Sequence, residues 1–301
     1  MIHVFIVNPI ACEMGYAQKL RNTLEQIPNL HYYVFSTRRR GHEKEIVQLI
    51  CRFFDNEELR FYCCGGSGTM RNMLDGISDI SKVELAMIPF GTCDFLKVFT
   101  DDMSFFRDVK SLIYGEVVYV DYMSTNLGKA LNSVSFGADT DSLRVGEDLR
   151  SIGLGRRYIN YWIASFYAAF LSPKKSYDLK FENNTMSNTR VTIMYFGNGS
   201  VIGGRFHVGL NDIVDDGIGS YCYVKGKAPY ARLMALSSAA RGDEKKLSKY
   251  AQLSTGRFLK ARRSNGAAFN VELDGELFTT VDLDVEIVRQ GIKFILPNRG
   301  L

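Results

Sequence analysis

One segment constrains this chain more than any other. An apolar run, Leu59-Arg60-Phe61-Tyr62-Cys63-Cys64, enters Gly65-Gly66-Ser67-Gly68-Thr69 and then a helical pattern. A buried strand that reaches a helix through three glycines can turn its backbone N–H groups toward one point, where the helix N-terminus adds its positive dipole. This is the geometry of a phosphate loop. Taken alone it is also that of a structural turn, with Thr69 able either to cap the helix or to bind phosphate.

The surroundings repeat the same order of elements. Residues 2–7 are an apolar run closed by Asn8-Pro9, and residues 16–27 carry Leu20, Leu24 and Ile27 at helical spacing. Strand patterns at 31–36, 59–64 and 83–88 alternate with helical patterns at 43–54 and 69–77. Such alternation predicts an α/β domain with a mostly parallel sheet and helices on both faces. Loops after the strand C-termini then share one rim. Asn8, Ser36-Thr37 and Ile88-Pro89-Phe90-Gly91-Thr92 are expected on it.

From residue 117 onward strand patterns dominate, at 117–122, 130–136, 176–181, 189–196, 219–224, 258–262, 269–273 and 285–289. They predict a largely antiparallel second unit. A strongly apolar helix at 158–171, preceded by Arg156-Arg157, and a helical segment at 229–240 interrupt it. The expected division is 1–118 and 119–290, with 291–301 able to complete the first domain.

Composition narrows the function classes. The net charge of +4 is spread over 37 Lys and Arg against 33 Asp and Glu, far from the basic stripe of a nucleic-acid binder. Cysteines at 12, 51, 63, 64, 93 and 222 form no C-x-x-C pair and no Cys/His metal spacing, and read as reduced thiols of a cytoplasmic protein. The first residues lack a basic leader and a cleavage site, so they read as a strand. No stretch reaches the roughly 18 apolar residues of a spanning helix. Membrane contact is therefore expected to be peripheral, at the inner face.

In six places the chain resembles the diacylglycerol kinase catalytic-domain family, which includes sphingosine kinases and bacterial lipid kinases. They are Ile6-Val7-Asn8-Pro9, Gly65-Gly66-Ser67-Gly68-Thr69, Ile88-Pro89-Phe90-Gly91-Thr92, Asn198-Gly199 with Gly203-Gly204, Asp215-Asp216-Gly217, and Leu273-Asp274-Gly275-Glu276. Essentially the whole chain is covered. The resemblance implies a nucleotide-binding α/β domain followed by a β-sandwich-like domain, with the active site in the cleft between them. It implies ATP and Mg²⁺ as cofactors and a lipid substrate at a membrane surface, and it is compatible with a homodimer. By position, Asn8, Thr37, Gly65, Gly66, Ser67, Gly68, Thr69 and Thr92 take the ATP-binding roles, and Glu276 that of general base. Asp216, aided by the carbonyls of Ile213 and Ile218, takes that of metal ligand. Without the resemblance, Asp274-Gly275-Glu276 reads as a hairpin turn and Asp215-Asp216-Gly217 as a solvated acidic turn.

Three segments depart from the family pattern. The loop has Ser67 where the family has Asp, a neutral hydroxyl in place of a charge. Gly91-Thr92-Cys93-Asp94-Phe95 lacks the family's Asn, and Ile10-Ala11-Cys12-Glu13-Met14-Gly15 replaces small and basic residues. The departures leave two functions open, an ATP-dependent lipid kinase and a catalytically silent nucleotide- or lipid-binding relative. An NAD kinase or other soluble-acceptor kinase is a third reading, disfavoured by the second-unit motifs. The helix at 158–171 reads as buried core, as shelter for an acyl chain, or as resting at a bilayer surface with Arg156-Arg157 toward lipid phosphate. Arg38-Arg39-Arg40 reads as a solvated loop or as a contact for phosphates or an anionic membrane.

Overall fold

The computed structural model describes residues 1–91, 93–138, 140, 175–182, 184–210, 213–225 and 228–298. The expected helix at 158–171, Arg156-Arg157 and Thr92 lie outside them. The chain forms two compact units, residues 1–122 with 288–301, and residues 123–287.

The first unit alternates strand and helix as its sequence pattern requires. β1 (Ile2–Val7), α1 (Tyr16–Leu24), β2 (Tyr32–Ser36), α2 (His42–Phe53), β3 (Leu59–Gly65), α3 (Ser67–Gly76) and β4 (Val83–Pro89) follow in order. The strands run parallel in the order β2-β1-β3-β4. Every residue of β3 is buried, as a central strand covered on both faces must be. Its Phe61 and the neighbouring Phe5 are fully enclosed, each burial worth roughly 1.5–3 kcal/mol. Helices cover the sheet through Leu20 and Leu24 of α1, Ile46, Val47 and Ile50 of α2, and Met70, Met73 and Leu74 of α3.

At the strand N-terminal end two polar groups are held inside. Arg60 donates from Nε to Glu84 at 2.6 Å and from Nη1 to the Ile113 carbonyl at 2.7 Å, fixing α4 (Val109–Ile113). His3 Nδ1 lies 2.8 Å from the Tyr62 hydroxyl. Burial, reinforced by the Arg60 guanidinium and the chain N-terminus, pushes His3 down to about 4.

β5 (Glu116–Thr125) leads from this unit into the second, where strands dominate. They are β6 (Gly128–Ala130), β7 (Ser133–Gly137), β8 (Lys175–Phe181), β9 (Thr185–Gly197), β10 (Val201–Ile202), β11 (Phe206–His207) and β12 (Gly219–Lys225). After the helices α5 (Pro229–Ala240) and α6 (Glu244–Tyr250) come β13 (Gln252–Gly256), β14 (Phe258–Arg263), β15 (Phe269–Leu273), β16 (Glu276–Thr280) and β17 (Asp282–Leu296). Among the described residues the strands of this unit pair antiparallel.

Its core stacks Phe136, Tyr177, Phe196, Tyr221, Phe269 and Val271. A second cluster seats Ala235 and Ala239 of α5 and Leu247 of α6 on Tyr195, Cys222 and Val224. The run expected as one strand at 130–136 is two. Residues 131 and 132 turn between β6 and β7 because their amides bond to Asp274 instead of to a neighbouring strand.

The last strand serves both units. Its first part pairs with β14, and its second part runs parallel to β4 through Lys293 and Phe294. At Gln290 the backbone takes φ +49, and the Gln290 N–H bonds to the buried Asp121 carboxylate at 2.6 Å.

Candidate functional site

The rim at the C-terminal ends of the parallel strands collects the sequence-predicted residues of the first unit. Asn8 follows β1, Thr37 follows β2, Gly65 ends β3 and Phe90-Gly91 follow β4. Main-chain bonds carry the ladder past the strand ends. Thr37 N–H donates to the Val7 carbonyl at 2.9 Å, Asn8 N–H to Cys64 at 3.0 Å and Phe90 N–H to Gly65 at 2.9 Å.

Within this rim the glycine loop is tightly specified. Helix α3 starts at Ser67, two residues earlier than its pattern suggests, with Gly66 as cap. Its ladder begins when Met70 N–H donates to the Gly66 carbonyl at 3.1 Å. The N–H groups of Ser67, Gly68 and Thr69 therefore precede the helical bonds, and no acidic residue stands in that first turn. A Cβ on Gly65 would lie 2.7–2.9 Å from the Thr69 side chain, so only glycine lets Thr69 sit against the strand end. Thr69 Oγ1 accepts a bond from Asn8 Nδ2 at 2.9 Å, while Asn8 Oδ1 accepts from Ile10 N–H at 3.1 Å. Asn8 thus joins the first loop to the first turn of α3.

Buried thiols pack against the loop, and the buried carboxylates of Glu43 and Asp94 act on Cys63 and Cys93. Cys12, Cys63, Cys64 and Cys93 are buried, and all six cysteines of the chain are free thiols. Burial raises Cys12 to about 11 and Cys93 to about 12, and lifts Cys63 and Cys64 as well. Near neutral pH they carry no charge that would oppose an anion. Tyr16 packs edge-to-face on Phe90 at 4.6 Å, and Arg107 lies over the Phe90 ring at 5.6 Å while donating to the Pro89 carbonyl at 3.2 Å. Beside this, a pocket of about 440 Å³ is lined by Val7, Pro9, Cys12, Glu13 and Tyr16 among others. Glu13, on its mouth, is exposed and lies 3.9 Å from Lys19. Of the three consecutive arginines, Arg39 is engaged by both oxygens of Glu45 at 2.6 Å.

The predicted residues of the second unit occupy two turns. Asp274 and Gly275, at φ +47 and +90, form a two-residue hairpin between β15 and β16. Positive φ at both positions suits a right-twisted hairpin and explains the Asp-Gly pair. The Asp274 carboxylate is buried and accepts N–H groups from Leu131 at 2.6 Å, Asn132 at 3.0 Å and Ser133 at 2.8 Å. Glu276 is the first residue of β16, opposite Leu273. Glu272, on β15, accepts from Ser135 Oγ at 2.9 Å and from Gly275 N–H.

Asp216 sits in the other turn. Its Oδ1 accepts the N–H of Ile218 at 2.9 Å across Gly217, which has φ +81. Val214 is buried and anchors the turn, whereas Ile213 is exposed. One carboxylate with neighbouring main-chain carbonyls is an oxygen donor set suited to a hard cation. Among the described residues no group of three or more His, Cys, Asp or Glu side chains forms a metal-type cluster, and no helix is long and apolar enough to cross a membrane. The contacts of Cys12, Cys93 and Asp274 have no signal in the sequence. The Asp-Gly pair marks the turn at 274, but nothing in the spacing marks the thiols.

Residues 3–125 match the family model of the diacylglycerol kinase catalytic domain. No curated protein matches the chain. Among solved structures, a diacylglycerol kinase from Bacillus anthracis str. Sterne is similar with a TM-score of 0.67 at 16% identity, covering 99% of this chain and 98% of that one. A second structure from that organism, described as a "putative diacylglycerol kinase", has a TM-score of 0.71 at 17% identity, covering 99% and 96%. At these identities the likeness is one of fold.

Proposed function

From a chain whose residues 3–125 match the diacylglycerol kinase catalytic domain, we propose an ATP-dependent lipid kinase. It would transfer the γ-phosphoryl group to a hydroxyl of diacylglycerol or a related amphiphile at a membrane surface. The observation that carries this reading is the first turn of α3. Three main-chain N–H groups precede the helical ladder there, beside a glycine that admits no side chain. Phosphoryl transfer asks a protein mainly for positioning and charge stabilisation, which such donors supply.

The roles follow from the chemistry of each group. Gly65, Gly66, Ser67, Gly68 and Thr69 bind phosphate oxygens, with Asn8 holding the Thr69 hydroxyl and Thr37 and Thr92 completing the nucleotide set. A lipid hydroxyl is a poor nucleophile, and Glu276 would accept its proton as the new P–O bond forms and the γ-phosphorus parts from the bridging oxygen of departing ADP. Asp216 and the carbonyls of Ile213 and Ile218 would hold a structural or supporting Mg²⁺. The magnesium that arrives with ATP would neutralise phosphate charge.

The test is ATP consumption on mixed vesicles containing diacylglycerol. Glu276→Gln is expected to lower the rate by roughly 10² to 10⁴ with the melting temperature unchanged. A folded protein that binds ATP yet turns over none of a broad lipid panel rejects the proposal. Ser67 favours a second reading, a nucleotide- or lipid-binding relative with a regulatory role, because the loop carries no carboxylate. If Ser67→Asp alone gains activity, the natural protein belongs to that second class.

A further inference from the structure

Three thiols meet the main chain of the glycine loop at consecutive residues. Cys12 Sγ donates to the carbonyl of Cys64 at 3.2 Å and Cys93 Sγ to that of Gly65 at 3.4 Å. Cys63 Sγ lies at a longer 4.0 Å from the carbonyl of Gly66. The same three carbonyls each accept a main-chain N–H, from Asn8 at 3.0 Å, Phe90 at 2.9 Å and Met70 at 3.1 Å. A carbonyl oxygen has two lone pairs, so each is approached by two donors.

The peptide bond is planar, and a plane held through its C=O also fixes the N–H of the following residue. The carbonyls of 64, 65 and 66 share planes with the N–H groups of Gly65, Gly66 and Ser67, of which that of Gly65 stays in the β3–β4 ladder opposite Pro89 and those of Gly66 and Ser67 lie beyond it. Glycine makes this restraint matter at Gly66, which lies beyond the β3–β4 pairing and has no side chain to limit its dihedrals. The cysteines come from three separate stretches, the loop after β1, strand β3 and the loop after β4. Buried cysteine as small apolar filling explains their burial. It does not explain three S–H groups approaching three carbonyls in succession.

We propose that Cys12 and Cys93, supported by Cys63, are positioning residues of the phosphate loop. Their S–H groups hold the 64–66 carbonyls, so that the strand end keeps its place and the Gly66 and Ser67 N–H groups, on the planes of the 65 and 66 carbonyls, are presented to an anionic phosphate. This inference rests on the nucleotide reading for its ligand and on the loop geometry for the restraint.

The test compares Cys12→Ala and Cys93→Ala with Cys12→Ser and Cys93→Ser in the full chain. Alanine and serine differ little in volume, but only serine keeps a donor. Two readouts are taken, the Kd for MgATP and amide hydrogen exchange at residues 66 and 67 without nucleotide. Each alanine variant is expected to weaken ATP binding and to accelerate exchange by about two- to tenfold, the worth of one hydrogen bond. Each serine variant is expected to return both to within about twofold of the natural protein. Alanine variants that match the natural protein overturn the proposal, as do serine variants as impaired as alanine. If the natural protein binds no ATP, the kinase reading fails and the exchange comparison alone decides this one. Should Cys93→Ala not fold, the infrared S–H band lost in Cys12→Ser decides. The low frequency of a carbonyl-bonded thiol supports the proposal, and the frequency of an unbonded thiol overturns it.

Discussion

Two turns in this molecule gather backbone N–H groups and treat them in opposite ways. At residues 131–133 three amides converge on the buried carboxylate of Asp274, supplied by the chain itself. At residues 67–69 the amides of the first turn of α3 follow a glycine cap with no side chain to meet them, and Ser67 brings a hydroxyl without charge. The first turn is structural because the countercharge is internal. The second suits an anion from outside for the converse reason. Similar donor geometry therefore serves architecture or ligand according to where the negative charge resides.

The contrast breaks most visibly at Asp274. Asp274→Ala leaves three buried N–H groups without their acceptor and should cost about 3–5 kcal/mol, read as a lowered urea midpoint. Asp274→Asn, which keeps one acceptor oxygen, should recover part of that. Unchanged stability in the alanine variant would mean that the carboxylate is not what holds residues 131–133.

On the other side of the comparison, Gly65→Ala drives a methyl into the Thr69 side chain. The expected cost is about 1–3 kcal/mol from overpacking, together with loss of ATP affinity. An alanine variant that binds ATP normally would show that the loop does not need this close approach.

A pH titration separates the stability of the first unit from the chemistry of its rim, because His3 opens the strand whose end delivers Asn8. His3 is held at about 4 in the folded protein against 6.5 in the unfolded chain. Between those values the unfolded chain takes up a proton that the folded one refuses. Stability is therefore complete above pH 6.5, falls as the pH drops toward 4 and changes no further below it on this account. The loss is on the order of 2 kcal/mol, and His3→Gln should remove it from a series of thermal melts.

The smallest effect belongs to Gly275. Its φ of +90 is strained for any other residue, yet an added Cβ would meet nothing within 4 Å. Gly275→Ala should cost about 1 kcal/mol by backbone strain alone. Gly65 is needed for room and Gly275 for conformation, and calorimetry on the two variants distinguishes these demands.

What could be read in the sequence follows the strength of local signals. Leu59 to Cys64 reads as a buried strand because it is apolar on both faces, and α5 lies where its pattern places it, Pro229–Ala240. Strand β13 is exposed along most of its length and shows no apolar alternation, so its existence depends on pairing with β12. Strand β17 reads as five residues but runs to fifteen, since Gln290-Gly291 looks like a break. The Asp121 carboxylate holds that bend within the strand.

The candidate site divides the same way. The glycine loop is visible because Gly65, Gly66 and Gly68 bridge a strand and a helix. The bond between Asn8 and Thr69 spans 61 positions, and only the shared rim of a parallel sheet places the two together. The thiol contacts have no counterpart in spacing at all. They depend on three loops meeting, which no local pattern encodes.

The divided course of β17 bears on how the polypeptide matures. The first unit begins with residue 1 but gains the strand beside β4 only at Lys293 and Phe294. A chain emerging from the ribosome therefore presents residues 1–122 long before their sheet can be finished. Until then the edge of β4 is an unpaired row of donors and acceptors, the kind of surface that recruits other nascent chains. Everything from 123 to 287 must be synthesised in the interval, so the unit that starts first is completed last.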